Sequence, residues 1–121
     1  MTIELNHTIV WARDRDASAA FLAGILGVPV DPVTEPFAPI RLGNGVTLDY
    51  AQAAEVASQH YAFLVGEEEF DAAMGRIRAA GITFWADPFH REPGELNSMN
   101  GGRGVYFEDP DGHNMELLTR A

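Results

Sequence analysis

Four side chains in this sequence recur in a pattern suited to holding a divalent metal: His7, Asp49, His60 and Glu116. His7 stands 14 residues before Phe21 and 20 before Gly27, while His60 stands 14 before Met74 and 21 before Gly81. Asp49 follows Gly45 by four residues, and Glu116 follows Gly112 by four. A histidine that opens a strand and a carboxylate that follows a turn glycine thus occur twice, at matching places in two half-chains. Singly, each has an ordinary structural reading; the repetition is what marks them out. Imidazole nitrogens and carboxylate oxygens suit borderline or harder divalent ions, so Fe, Mn, Co, Ni and Zn are all admissible. Two histidines and one carboxylate with open positions also make up the ligand set of non-haem Fe(II) oxygenases. Asp49 is shorter than a glutamate and is read as a fourth ligand, as a group that orients a ligand, or as the holder of a substrate proton.

The elements that must position these groups follow from the apolar periodicity. Leu5–Trp11 reads as a strand, and Asp14 or Asp16 offers an N-cap for a helix over Ala17–Leu26 that Gly27 ends. A short strand at Val28–Val30, a loop over Asp31–Pro39, and a hairpin of Ile40–Leu42 with Val46–Ala51 complete the first half. After a connector at Gln52–Gln59 the order restarts with strand His60–Val65. Phe70, Ala73, Met74 and Ile77 mark a helix whose acidic first turn, Glu67–Glu69, faces the positive end of its dipole. Strand Ile82–Ala86, a long loop over Asp87–Gly102 and a last hairpin around Asp109-Pro-Asp-Gly112 close the second half. The predicted fold is α+β, one domain over residues 1–121, built of two βαβββ modules at about 1–52 and 59–121. Strand alternation turns His7, His60, Asp49 and Glu116 inward, into a cupped mixed sheet. Tyr61, Phe63, Val65, Leu48, Met115 and Leu117 then lie under the helices.

Composition excludes several partners. Eighteen acidic against eight basic residues give a net charge of −10, which repels nucleic acid and anionic lipid. No apolar run is long enough to span a membrane, and the N-terminus lacks the pattern of a signal peptide, so the expected location is the cytoplasm. The absence of cysteine removes disulfides, thiolate ligands and cysteine nucleophiles together.

The stretches Asn6-His7-Thr8, Gln59-His60-Tyr61 and Gly104-Val-Tyr-Phe-Glu-Asp-Pro-Asp-Gly-His-Asn-Met-Glu116 resemble the vicinal oxygen chelate superfamily. That superfamily includes glyoxalase I, extradiol dioxygenases, fosfomycin-modifying enzymes and bleomycin-resistance proteins. The resemblance implies one divalent metal per site on His7, His60 and Glu116, with a fourth glyoxalase-type ligand falling near Asp49, where such proteins normally carry glutamate or glutamine. It implies a homodimer and a small substrate whose vicinal oxygens meet the metal, with Glu116 doubling as a displaceable catalytic base. A glyoxalase-like lyase or isomerase ranks first on this reading. An extradiol-type dioxygenase, with Tyr106 or His90 as acid or base, ranks second because a two-module chain is short for that group. The contrasting expectation is a metal-free protein that sequesters an antibiotic on aromatic surfaces. For either ligand the candidate contacts are Trp11, Phe37, Trp85, Phe89, His90, Met99, Arg103 and Tyr106. His113, which alternates away from Glu116, is expected to be structural.

Overall fold

The computed structural model describes residues 2–121, which divide into two compact units, the first ending at Val56 and the second spanning Ala57–Ala121. Each unit packs one helix on one mixed sheet. Unit 1 carries β1 (His7–Ala12), α1 (Arg15–Leu26), β2 (Ala38–Arg41) and β3 (Thr47–Gln52), with strand order β1-β3-β2. Unit 2 carries β4 (His60–Leu64), α2 (Glu67–Ala79), β5 (Phe84–Trp85), β6 (Gly104–Glu108) and β7 (Asn114–Leu118), with order β4-β7-β6-β5.

The repeat read from spacing is reproduced in strand register. In unit 1 the parallel pair β1 and β3 sets His7 beside Thr47 and Ile9 beside Asp49. In unit 2 the parallel pair β4 and β7 sets His60 beside Asn114 and Ala62 beside Glu116. In both, the carboxylate stands beside the residue two past the histidine. Gly45 and Gly112, at φ 86° and 80°, occupy the left-handed region that lets the chain turn into β3 and β7.

Alternation decides which face is buried. Val10, Ile40 and Tyr50 lie with Leu22 of α1 in the core of unit 1, while Phe107, Met115 and Leu117 lie with Phe70 and Ile77 of α2 in that of unit 2. The opposite face of each sheet carries the histidines and carboxylates. Asp14 caps α1, its carboxylate accepting from the Ala17 N–H at 3.1 Å, and Gly27 ends the helix at φ 73°.

Two predicted strands differ from those observed. Val28–Val30 forms no ladder, because Pro29 and the nearby Pro32 have no N–H to offer; the segment's link to β2 is the Asp31 N–H to the Pro39 carbonyl, at 2.8 Å. The segment Ile82–Ala86 contracts to Phe84–Trp85. Its ends bond elsewhere, Ile82 N–H to Ile77 of α2 and Ala86 N–H to Glu92 of the following loop. Among the described residues no helix is long and apolar enough to cross a membrane.

Replacing Asp14 by alanine removes the cap bond and is expected to lower stability by about 1 kcal/mol, with Asp14→Asn costing far less. Urea unfolding followed by circular dichroism measures both; equal stability of wild type and Asp14→Ala would refute the cap's contribution.

Candidate metal centre

Unit 2 brings two of the predicted ligands into contact. His60 Nε2 lies 3.1 Å from Glu116 Oε1, and His60 Nδ1 lies 2.9 Å from the backbone carbonyl oxygen of Asn114. A carbonyl can only accept, so Nδ1 carries a proton, and Nε2 is the nitrogen that faces the carboxylate. A ring nitrogen and a carboxylate oxygen at this separation hold between them either a proton, as in an imidazolium–carboxylate pair, or a cation. Two ligand atoms bound at right angles to one ion, each at about 2.1 Å, stand about 3 Å apart. The pair therefore fits a metal ion, and the carbonyl that fixes the tautomer is the kind of partner that ligating histidines use. The Glu116 side chain is 12% exposed and that of His60 48% exposed, so the pair is open to solvent on the imidazole side.

Tyr106 borders the pair. It stands beside Glu116 in the β6 and β7 register, and its ring centroid is 6.0 Å from that of His60. Burial first, and then the charge and hydrogen bonding of Glu116, push its phenol up to about 12. The hydroxyl is therefore a proton donor throughout the physiological range.

A second layer backs this pair through Asn114. Its side-chain amide donates to the Pro88 carbonyl at 3.2 Å, and its Oδ1 lies 3.0 Å from Nε2 of His90. The His90 ring stacks on Trp85, with centroids 3.7 Å apart and planes 5° from parallel, and its Nδ1 faces Glu108 at 3.5 Å. The loop is pinned at its other end as well. Asn97 and Gly104 exchange both backbone hydrogen bonds, and a Cβ on Gly104 would come within 2.6 Å of the Asn97 amide.

In unit 1 His7 is exposed, with Nδ1 2.8 Å from Asn6 Oδ1, which leaves its Nε2 available as in His60. Asp49 is half-buried on the same sheet face. Trp11 and Phe37 line a depression of ≈ 460 Å³ farther along that face. Among the described residues, no group of three His, Cys, Asp or Glu side chains is gathered to hold an ion; unit 2 supplies two.

The other predicted contacts separate. Phe89 is 75% exposed beneath the Arg91 guanidinium, and Met99 sits exposed in a 3-10 turn. Arg103 turns toward α2, paired with Glu67 and Asp71 and lying 4.5 Å over the Phe70 ring, where the helix's acidic turn holds it. His113 is buried, and its Nδ1 accepts from the Gln59 N–H at 3.0 Å, a structural bond. Asn114 is the functional residue that sequence reasoning passed over as a site candidate. Its signal was present, since it alternates onto the same face as Glu116.

These features define a duplicated α+β module whose second copy sets an imidazole against a carboxylate on the open face of its sheet. The chain belongs to the Glyoxalase/Bleomycin resistance protein/Dioxygenase superfamily, whose family model matches residues 4–117. It is similar to the solved structure of Oxidase ChaP-H2, with 60% identity and a TM-score of 0.97 over 100% of this chain and 96% of that one. It is 31% identical to Glutathione transferase FosA of Serratia marcescens, over 97% of this chain and 81% of that protein. Its fold matches the fosfomycin resistance protein FosX of Listeria monocytogenes, solved with Mn(II) and 1S,2S-dihydroxypropylphosphonic acid, at TM-score 0.74 and 22% identity over 100% and 93% of the two chains.

The raised Tyr106 value carries a pH consequence. The folded chain keeps a proton that the unfolded chain loses near pH 10, so this contribution to stability is intact below pH 10 and is lost as pH rises toward 12. In the metal-free protein, ultraviolet titration of tyrosinate should show a late step that Tyr106→Phe removes and that Glu116→Gln moves down toward the ordinary value. A late step unchanged in Glu116→Gln would break the link between the two groups.

Proposed function

We propose that this chain is a metal-dependent oxidative enzyme acting on a small molecule with vicinal oxygens. His60 and Glu116 hold the ion together with His7, the matching histidine of unit 1, supplied by the same chain or by a second copy in a homodimer. The observation that carries this reading is the His60 and Glu116 pair, 3.1 Å apart, with its imidazole tautomer fixed by the Asn114 carbonyl.

The 60% identity to a protein named an oxidase, against 31% to a glutathione transferase, favours oxidation over the lyase or isomerase that ranked first on sequence. Two histidines and a carboxylate are also the set suited to Fe(II). When bound, an iron on this set supplies redox capacity and Lewis acidity at open coordination positions.

The protein's own groups have separable tasks. The Asn114 carbonyl holds His60 in the ligating tautomer, and the buried Glu116 brings a negative charge that compensates the ion's. Tyr106, hydrogen-bonded to Glu116, orients that carboxylate. His90 holds the loop against β7 through Asn114.

Reconstitution with Fe(II), Mn, Co, Ni and Zn in turn should give near-stoichiometric metal in the wild type and at least tenfold weaker retention in Glu116→Ala and His60→Ala. The iron form should consume oxygen with catechol-type diols. A folded chain that takes up none of these ions would overturn the reading, and metal uptake with turnover of a hemithioacetal but no oxygen consumption would restore the lyase. Because His60 and Glu116 share one unit, mixing His7→Ala with Glu116→Ala chains tests the origin of the third ligand. Activity rescued in the mixture assigns His7 to a second copy, and no rescue despite subunit exchange assigns it to the same chain.

A further inference from the structure

Unit 2 holds a second imidazole and carboxylate that face each other. Glu108 of β6 and Asn114 of β7 are register partners, and His90 of the long loop meets both. The Asn114 amide fixes the chemistry of that ring. Its nitrogen donates to the Pro88 carbonyl at 3.2 Å, so its Oδ1 is the end that meets His90 Nε2 at 3.0 Å. An amide oxygen only accepts, so Nε2 carries a proton and the neutral ring keeps its lone pair on Nδ1. Nδ1 is the nitrogen that lies 3.5 Å from Glu108 Oε1.

The ring is held on its other sides as well. Trp85 stacks on one face at 3.7 Å, and the His90 N–H donates to the Asp87 carbonyl at 3.3 Å with the residue at φ 59°. A side chain other than glycine is costly to keep in that left-handed region. The strained turn, the stack and the amide together leave Nδ1 as the ring's open position, set against a carboxylate. This is how ligating histidines are oriented, with the second nitrogen donating to a fixed oxygen.

The separation decides what belongs between them. A charge-assisted N–H···O bond draws its atoms to about 2.7–2.9 Å, so 3.5 Å is too long for a shared proton. Two ligand atoms on one tetrahedral ion, each about 2.1 Å from it, stand about 3.4 Å apart. The 3.1 Å between His60 and Glu116 matches the right-angle bite of a six-coordinate ion, whereas this pair matches the tetrahedral one.

We propose that His90 Nδ1 and Glu108 form a second metal site, for a tetrahedral divalent ion of the zinc class. The Glu108 side chain is 51% exposed and that of His90 22%, so water completes the coordination, and the chain's net charge of −10 favours a cation. The ion joins the loop to β6, and its occupancy sets how firmly the loop is held on the sheet. The site uses no residue of the His60 and Glu116 centre and lies wholly within unit 2, so it stands whether or not that centre binds a metal.

Co(II) tests it in place of zinc, since it absorbs strongly in the visible when tetrahedral and weakly when six-coordinate. The untagged full chain carrying His7→Ala, His60→Ala and Glu116→Ala, checked for folding by circular dichroism, should bind one Co(II) with the tetrahedral spectrum, displaced by Zn(II). In that background His90→Ala, and Glu108→Gln at its exposed position, should each weaken binding at least tenfold. In the otherwise wild-type chain Glu108→Gln should lower the Zn(II) stoichiometry by one equivalent. A folded chain that takes up no Co(II), a six-coordinate spectrum, or uptake unchanged in both variants would overturn the site. So would NMR showing protons on both His90 nitrogens in saturating Zn(II), which would leave an imidazolium and glutamate pair in its place.

Discussion

The site depends on the parallel pairing of β4 with β7. That pairing places the His60 ring against the Asn114 carbonyl and within reach of Glu116 two residues farther along β7. Parallel strands need a crossover, and α2 provides it while burying Phe70 and Ile77 on the sheet's other face. The ladder therefore has two functions at once. It builds half of the hydrophobic core on one side and sets a histidine tautomer on the other. A one-residue slip of β7 would send Glu116 into the core and Met115 to the open face beside His60, so the apolar pattern enforces the pairing of imidazole and carboxylate.

Much of this was legible because strands have a period of two and turns have chemical signatures. The spacing of Gly45 to Asp49 and of Gly112 to Glu116 located both carboxylates on equivalent strands, and alternation assigned each histidine and carboxylate to its face. The failures have physical causes too. Val28–Val30 looks like a strand by side chain, but prolines withhold the N–H groups a ladder needs. Arg103 sits in a glycine-rich loop that suggests ligand contact, yet the negative first turn of α2 captures it, a long-range ion pair that local patterning cannot reveal. The stack of His90 on Trp85 was likewise hidden, since four residues lie between them and loop paths have no periodicity to read.

The two modules show how a duplicated scaffold diverges. Both keep the histidine, the carboxylate two register positions past it and the left-handed glycine. In unit 2 the face is filled out by Tyr106 and overlain by the pinned loop, giving a buried carboxylate beside an imidazole. In unit 1 Asp49 is half-buried, His7 turns to Asn6, and the same face opens into an apolar hollow. Nearly identical backbone register thus supports charge at one sheet and shape at the other, with side-chain size deciding between them.

Asn114 touches two worlds with its two ends. Its side-chain amide grips the loop at Pro88 and His90, and its carbonyl sets the orientation of His60. Loops are where a lineage ordinarily explores new substrates, because insertions there disturb little else. Here that freedom is curtailed. Any rearrangement of residues 88–90 pulls on the same residue whose carbonyl orients the His60 ring, so the path of the loop and the aim of the imidazole are not independent. Residues 91–94 are tied back as well, to the Asp87 carboxylate, to Ala86 and to the Phe84 carbonyl, so the loop has little length to vary before Asn97.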